Sequence, residues 1–94
     1  MAKLFRTDGT AMDITPKNGT DFQLDELYEA LDCELVEVIR IPWAGKIVIM
    51  DEEGKFSGKG VNEEITHYLR YHSAIASCDY IIGDAIICGT EEFR

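Results

Sequence analysis

Two short stretches restrict the fold more than anything else in this chain. Lys46 to Met50 and Tyr80 to Cys88 are apolar on both of the faces that a β-strand presents. A strand with one wet face alternates polar and apolar residues, so runs like these belong inside a sheet, covered on both sides. The segment Ile47 to Leu69 continues from the first run through an acidic turn, a glycine-rich loop and the opening of an amphipathic helix. Asp79 to Ile87 then supplies the next strand.

The remaining segments fall into place around these two. Lys3 to Arg6 and Thr10 to Thr15 flank Asp8-Gly9, a pair suited to the positive φ angles of a tight hairpin turn. Thr20 and Gln23 have capping-box spacing ahead of Leu24, Leu27, Tyr28 and Leu31, an apolar stripe on a short helix. Cys33 to Ile41 is rich in β-branched residues. Alternation there sets Leu35, Glu37, Ile39 and Ile41 on one face and Val36 and Val38 on the other. After the turn Pro42 to Gly45 and the apolar run, a second helix opens at Asn62, a favoured N-cap. Glu63 and Glu64 suit the positive end of its dipole. Its buried side is Ile65, Tyr68, Leu69, His72, Ile75 and Ala76, and the polar tail from Gly89 is expected to fray.

The order is therefore β-β-α-β-β-α-β. It predicts a single α+β domain over residues 1–94, with a mainly antiparallel sheet of about five strands and two helices on one face. Helices on one face leave the other face of the apolar strands bare, so a second copy is expected to hide it, as a homodimer.

Charge narrows the partners. With 18 acidic residues against 9 basic ones the net charge is −9, and direct binding to a nucleic-acid backbone is disfavoured because it needs lysine and arginine. Two readings of the acidity remain, a solvated surface and an acidic mimic of DNA. Cys33, Cys78 and Cys88 are odd in number and form no CxxC pair, which argues against a disulfide framework or a zinc site. No apolar run approaches the roughly 18 residues of a membrane helix. The start MAKLFRTDGT lacks the apolar core of a secretory signal, so a cytoplasmic protein is expected.

Leu35-Val36-Glu37-Val38-Ile39, Asp51-Glu52-Glu53-Gly54-Lys55, Asn62 at a helix start and Asp79-Tyr80-Ile81-Ile82-Gly83-Asp84 together carry a resemblance. Over residues 31–88 the chain resembles a family of small phage and gut-bacterial domains, domain of unknown function 3846. It departs from that family where Leu35-Val36 replaces a glycine doublet. The resemblance implies a phage or mobile-element accessory protein that acts in a bacterial host cell by binding rather than by metabolism. It implies no activity and no cofactor.

Several constellations invite chemistry. The loop Gly54 to Gly60 leads into a helix start, where backbone amides, lysines and the helix dipole favour an anion. An anion or nucleotide there would use Lys55, Gly58, Lys59, Gly60 and Asn62. Three residues rather than four separate Gly54 from Gly58-Lys59, so this is not a P-loop. Asp51, Glu52 and Glu53 lack the alternate spacing of a calcium loop and read as a solvated acidic turn. His67 and His72 are five apart and face different sides of one helix, so they do not chelate together. Glu37, His72 and Asp84 interrupt apolar faces, and each needs a partner, solvent or an interface, a carboxylate–histidine contact being one solution.

The leading expectation is a small acidic binding or interaction module with no chemistry, cofactor or metal of its own. A small-anion or nucleotide binder, conceivably a sponge for a signalling nucleotide, and a DNA mimic are the alternatives.

Overall fold

The computed structural model describes residues 2–53, 58–75 and 79–93. Five strands form one antiparallel sheet: β1 (Ala2–Phe5), β2 (Ala11–Ile14), β3 (Val36–Ile41), β4 (Lys46–Asp51) and β5 (Ala85–Gly89). Two helices, α1 (Leu24–Leu31) and α2 (Glu63–Tyr71), complete the expected order. The spatial order is β2-β1-β5-β4-β3, so the two runs apolar on both faces supply central strands β4 and β5. Five of the six residues of β4 are buried.

Because β4 and β5 are apolar on both sides, each face needs its own cover, and the helices divide the task. Ile47, Ile49, Ile86 and Cys88 pack with Leu27 and Leu31 of α1. Val48, Met50 and Ala85 point the other way and pack with Ile65 and Leu69 of α2. The expectation of two helices on one face is thus corrected. With it goes the bare apolar face on which the homodimer argument rested.

Local signals hold, with shifts. The first hairpin closes with the Arg6 N–H on Thr10 O at 2.9 Å, and Gly9 adopts φ +91°. The box that opens α1 is Gln23 with Glu26, three residues later than expected, the Gln23 N–H donating to Glu26 Oε2 at 3.2 Å. Thr20 instead joins a turn built on Asn18 Oδ1, which accepts the Thr20 N–H at 2.9 Å and the Asp21 N–H at 3.0 Å. The local turn bonds of Asn18 outcompete helix entry there.

Strand β5 starts at Ala85 rather than Tyr80. Gly83 sits at φ +88°, and the segment before it turns away to pair with the approach to α2, with a bridge between Val61 and Ile82. The tail does not fray within the described residues. Thr90–Glu92 forms a 3-10 turn, the Phe22 N–H donates to Glu92 O at 2.7 Å, and Phe93 packs on the core below α1.

Candidate functional site

Most of the nominated polar residues meet at one end of the sheet, where β1 and β4 finish and β3 and β5 begin. Asn62 is fully buried. Its Oδ1 accepts the Ile65 N–H at 3.2 Å, the helix cap foreseen from its identity. Its Nδ2 donates to Phe5 O at 2.9 Å and to Gly83 O at 3.0 Å. One amide side chain thereby joins the start of α2, the end of β1 and the turn before β5. Beside it the Gly83 N–H donates to Gly60 O at 2.9 Å.

Lys59 crosses to the opposite face of the sheet. Its Nζ donates to Leu31 O at 3.0 Å, to Asp32 O at 2.6 Å and to Asp51 Oδ2 at 3.2 Å. All three ammonium protons are used. They hold the carbonyl end of α1, where a positive charge opposes the helix dipole favourably and satisfies groups with no intrahelical partner. Asp51 is buried rather than solvated, and its other oxygen accepts the Glu53 N–H at 2.9 Å. A carboxylate with so little water needs such a partner.

Asp84 is half-buried, its Oδ1 accepting the Thr7 N–H at 3.1 Å and its Oδ2 lying 3.5 Å from Arg6 Nη1. The anion-site residues Lys59 and Asn62 are therefore committed to internal bonds, Gly60 gives its carbonyl to Gly83, and Gly58 takes φ +76° in a turn. Lys55 lies outside the described residues.

The other two interrupting residues lie elsewhere. Glu37 is exposed on β3, and His72 caps the end of α2 with its ring 4.7 Å from Tyr68 and 5.1 Å from Tyr71. The helix ends at Tyr71 because Ser73 turns to φ +55°, so His72 never reaches the sheet and meets neither carboxylate.

Titration follows burial. Burial first, then Glu92 and Glu91, pushes the Cys88 thiol up to about 11, and burial likewise raises Cys33. Neither thiol is activated for nucleophilic work at neutral pH. Burial pushes the Glu92 carboxyl up, but the Gly89 N–H on its Oε1 at 3.0 Å and nearby positive charge, Lys46 included, together outweigh it and leave the carboxyl below its usual value. Among the described residues no three His, Cys, Asp or Glu side chains gather as a metal site. Nor is any helix there long and apolar enough to cross a membrane.

The sheet has two outer strands, β2 and β3, and β3 is the longer. The Glu52 N–H donates to Leu35 O at 3.1 Å, which marks these two as a hydrogen-bonded pair of the β3–β4 ladder. By antiparallel alternation, the N–H and C=O groups of Val36, Val38 and Arg40 point away from β4. Among the described residues no strand pairs with that edge. Leu35 just before the strand and Trp43 just after it are 47% and 66% exposed. On the α2 side of the sheet, Glu37 and Ile39 border a groove of about 420 Å3 that runs over Met50 to Ile75, Ile81 and Ile82. Neither this groove nor the edge stood out in the sequence, because both arise where separate segments meet.

No curated protein and no solved structure matches this chain significantly. The model of the family described as a domain of unknown function, DUF3846, matches residues 6–94, nearly the full length and well beyond the span that carried the sequence resemblance, and the chain belongs to that family.

Proposed function

We propose that this domain is a non-catalytic interaction module that takes an extended segment of a protein partner as an added strand along β3. The observation that carries the reading is the outer edge of β3, six residues long and unpaired among the described residues, with exposed Leu35 and Trp43 at its two ends. An open edge offers main-chain hydrogen bonds at regular spacing, and neighbouring pockets select side chains. Exposed edges are normally shielded, so a long one beside a groove fits a docking function. The opposite outer strand, β2, is only four residues long. Binding rather than catalysis is favoured because Asn62, Lys59 and Asp84 are occupied in holding the fold. Such a role suits the phage or mobile-element accessory protein implied by the resemblance.

The test is selection from a displayed library of random linear peptides on the wild-type domain and on Val38→Pro. Proline at an outward position removes one edge N–H and leaves the β3–β4 ladder intact. Wild type should enrich strand-forming sequences and the variant should not. Equal enrichment by both, with the variant folded by circular dichroism, refutes the reading. Arg40→Pro provides a second edge block if Val38→Pro does not fold.

A further inference from the structure

We infer that the strand accepted by β3 is basic, with lysine or arginine set among β-branched residues. This rests on the edge-docking reading and adds the chemistry of the occupant. An added strand places every second side chain on the α2 side of the sheet, beside Glu37, Ile39 and the groove. That groove is apolar along its floor, and among the described residues its charged lining is Glu37, Asp51, Glu52 and Asp79, with no lysine or arginine. Asp51 is answered by Lys59, but exposed Glu37 and Glu52 face the opening.

Register sharpens the expectation. Glu37 and Ile39 occupy positions whose backbone bonds run to β4, so on the outer side they form the close, non-hydrogen-bonded pairs. A partner residue opposite Glu37 is best cationic, and one opposite Ile39 best apolar. On the other face half-buried Val36 and Val38 favour branched apolar neighbours. Read antiparallel to β3, opposite Ile39, Val38, Glu37 and Val36, this describes a Val-Val-Lys-Val pattern, with further lysines favoured after it, beside exposed Glu34, and not before it, opposite exposed Arg40.

Charge decides against a second copy. Each chain carries −9, and the two-fold pairings that match outward groups set Glu37 opposite Ile39 when centred on Val38 and opposite its own mate when centred on Glu37, so it meets no cation in either. A strand with a cation opposite Glu37 gains where a second copy does not.

The probe is a short synthetic peptide containing Val-Val-Lys-Val followed by lysines, N-methylated on its far edge so that it cannot self-assemble. Its comparator carries glutamate for every lysine. Titration at low salt should show the lysine peptide binding at least about tenfold tighter, with the advantage shrinking as salt rises. Glu37→Gln with Glu52→Gln should remove most of that preference, and Val38→Pro should abolish binding of both peptides.

Equal binding of the two peptides to wild type, lost in Val38→Pro, overturns the basic occupant and leaves edge docking standing. Undiminished lysine-peptide binding by folded Val38→Pro overturns edge docking itself. No binding of the lysine peptide by wild type overturns the basic occupant. So does a wild-type dimer by light scattering that Val38→Pro converts to the 10.6 kDa monomer.

Discussion

Replacing Asn62 tests most directly how this domain is held together. If Asn62 were only a helix cap, Ser or Asp would serve as well as Asn, and Ala would cost about 1 kcal/mol. The structure assigns it more. Its Nδ2 is the partner of Phe5 O and of Gly83 O, the second bond wholly buried. Phe5 O also faces Ala85 across the β1–β5 ladder, so removing the amide strands chiefly the Gly83 carbonyl, and a buried unpaired polar group costs about 1–3 kcal/mol. With the cap included, Asn62→Ala should lose about 2–4 kcal/mol, a fall in melting temperature of roughly 8–30 °C for a domain of this size.

Asn62→Ser separates the two roles, since it keeps a capping oxygen and drops the amide. It should lose most of the same stability. Asn62→Asp should do at least as badly at neutral pH, because it sets a carboxylate oxygen against two carbonyl oxygens. It should recover relative to wild type in acid, where a protonated carboxyl can donate. Urea denaturation followed by circular dichroism measures all three. If Asn62→Ser and Asn62→Asp unfold together with wild type, the side chain is a cap alone and the cross-brace is wrong.

Two further outcomes follow from the polar contacts. Lys59→Met should cost about 2–3 kcal/mol by uncovering the end of α1 and buried Asp51, whereas Lys17→Met on the exposed surface should be nearly neutral. Adding Asp51→Asn to the Lys59 variant should recover part of the loss, and equal costs for the two lysines would show that the clamp contributes nothing. Glu92 has a folded pKa below its ordinary 4.5, so its contribution is present above pH 4.5 and is lost as pH falls through the lower folded value. Glu92→Gln should therefore be less stable than wild type at pH 7, with the gap closing in acid. Urea midpoints measured from pH 7 to pH 3 check this, and a gap independent of pH overturns it.

The sequence by itself determined the elements and their order. Apolar runs without alternation identify β4, a turn pair at Asp8-Gly9 identifies the first hairpin, and Asn62 identifies the start of α2, because each signal acts within a few residues. Tertiary structure alone decided what those signals could not reach. Which face each helix covers depends on how β4 and β5 share their two apolar sides, and Ile47 and Val48 look alike until the sheet separates them. The loop around Lys59 reads as an anion cradle in isolation, yet its ammonium turns inward once folding brings the carbonyls of Leu31 and Asp32 within reach. Asp51 becomes buried for the same reason, and Glu92 is drawn into place by the Gly89 amide. The edge of β3 is a property of spatial strand order, which follows from long-range pairing energies that leave no local trace in the chain.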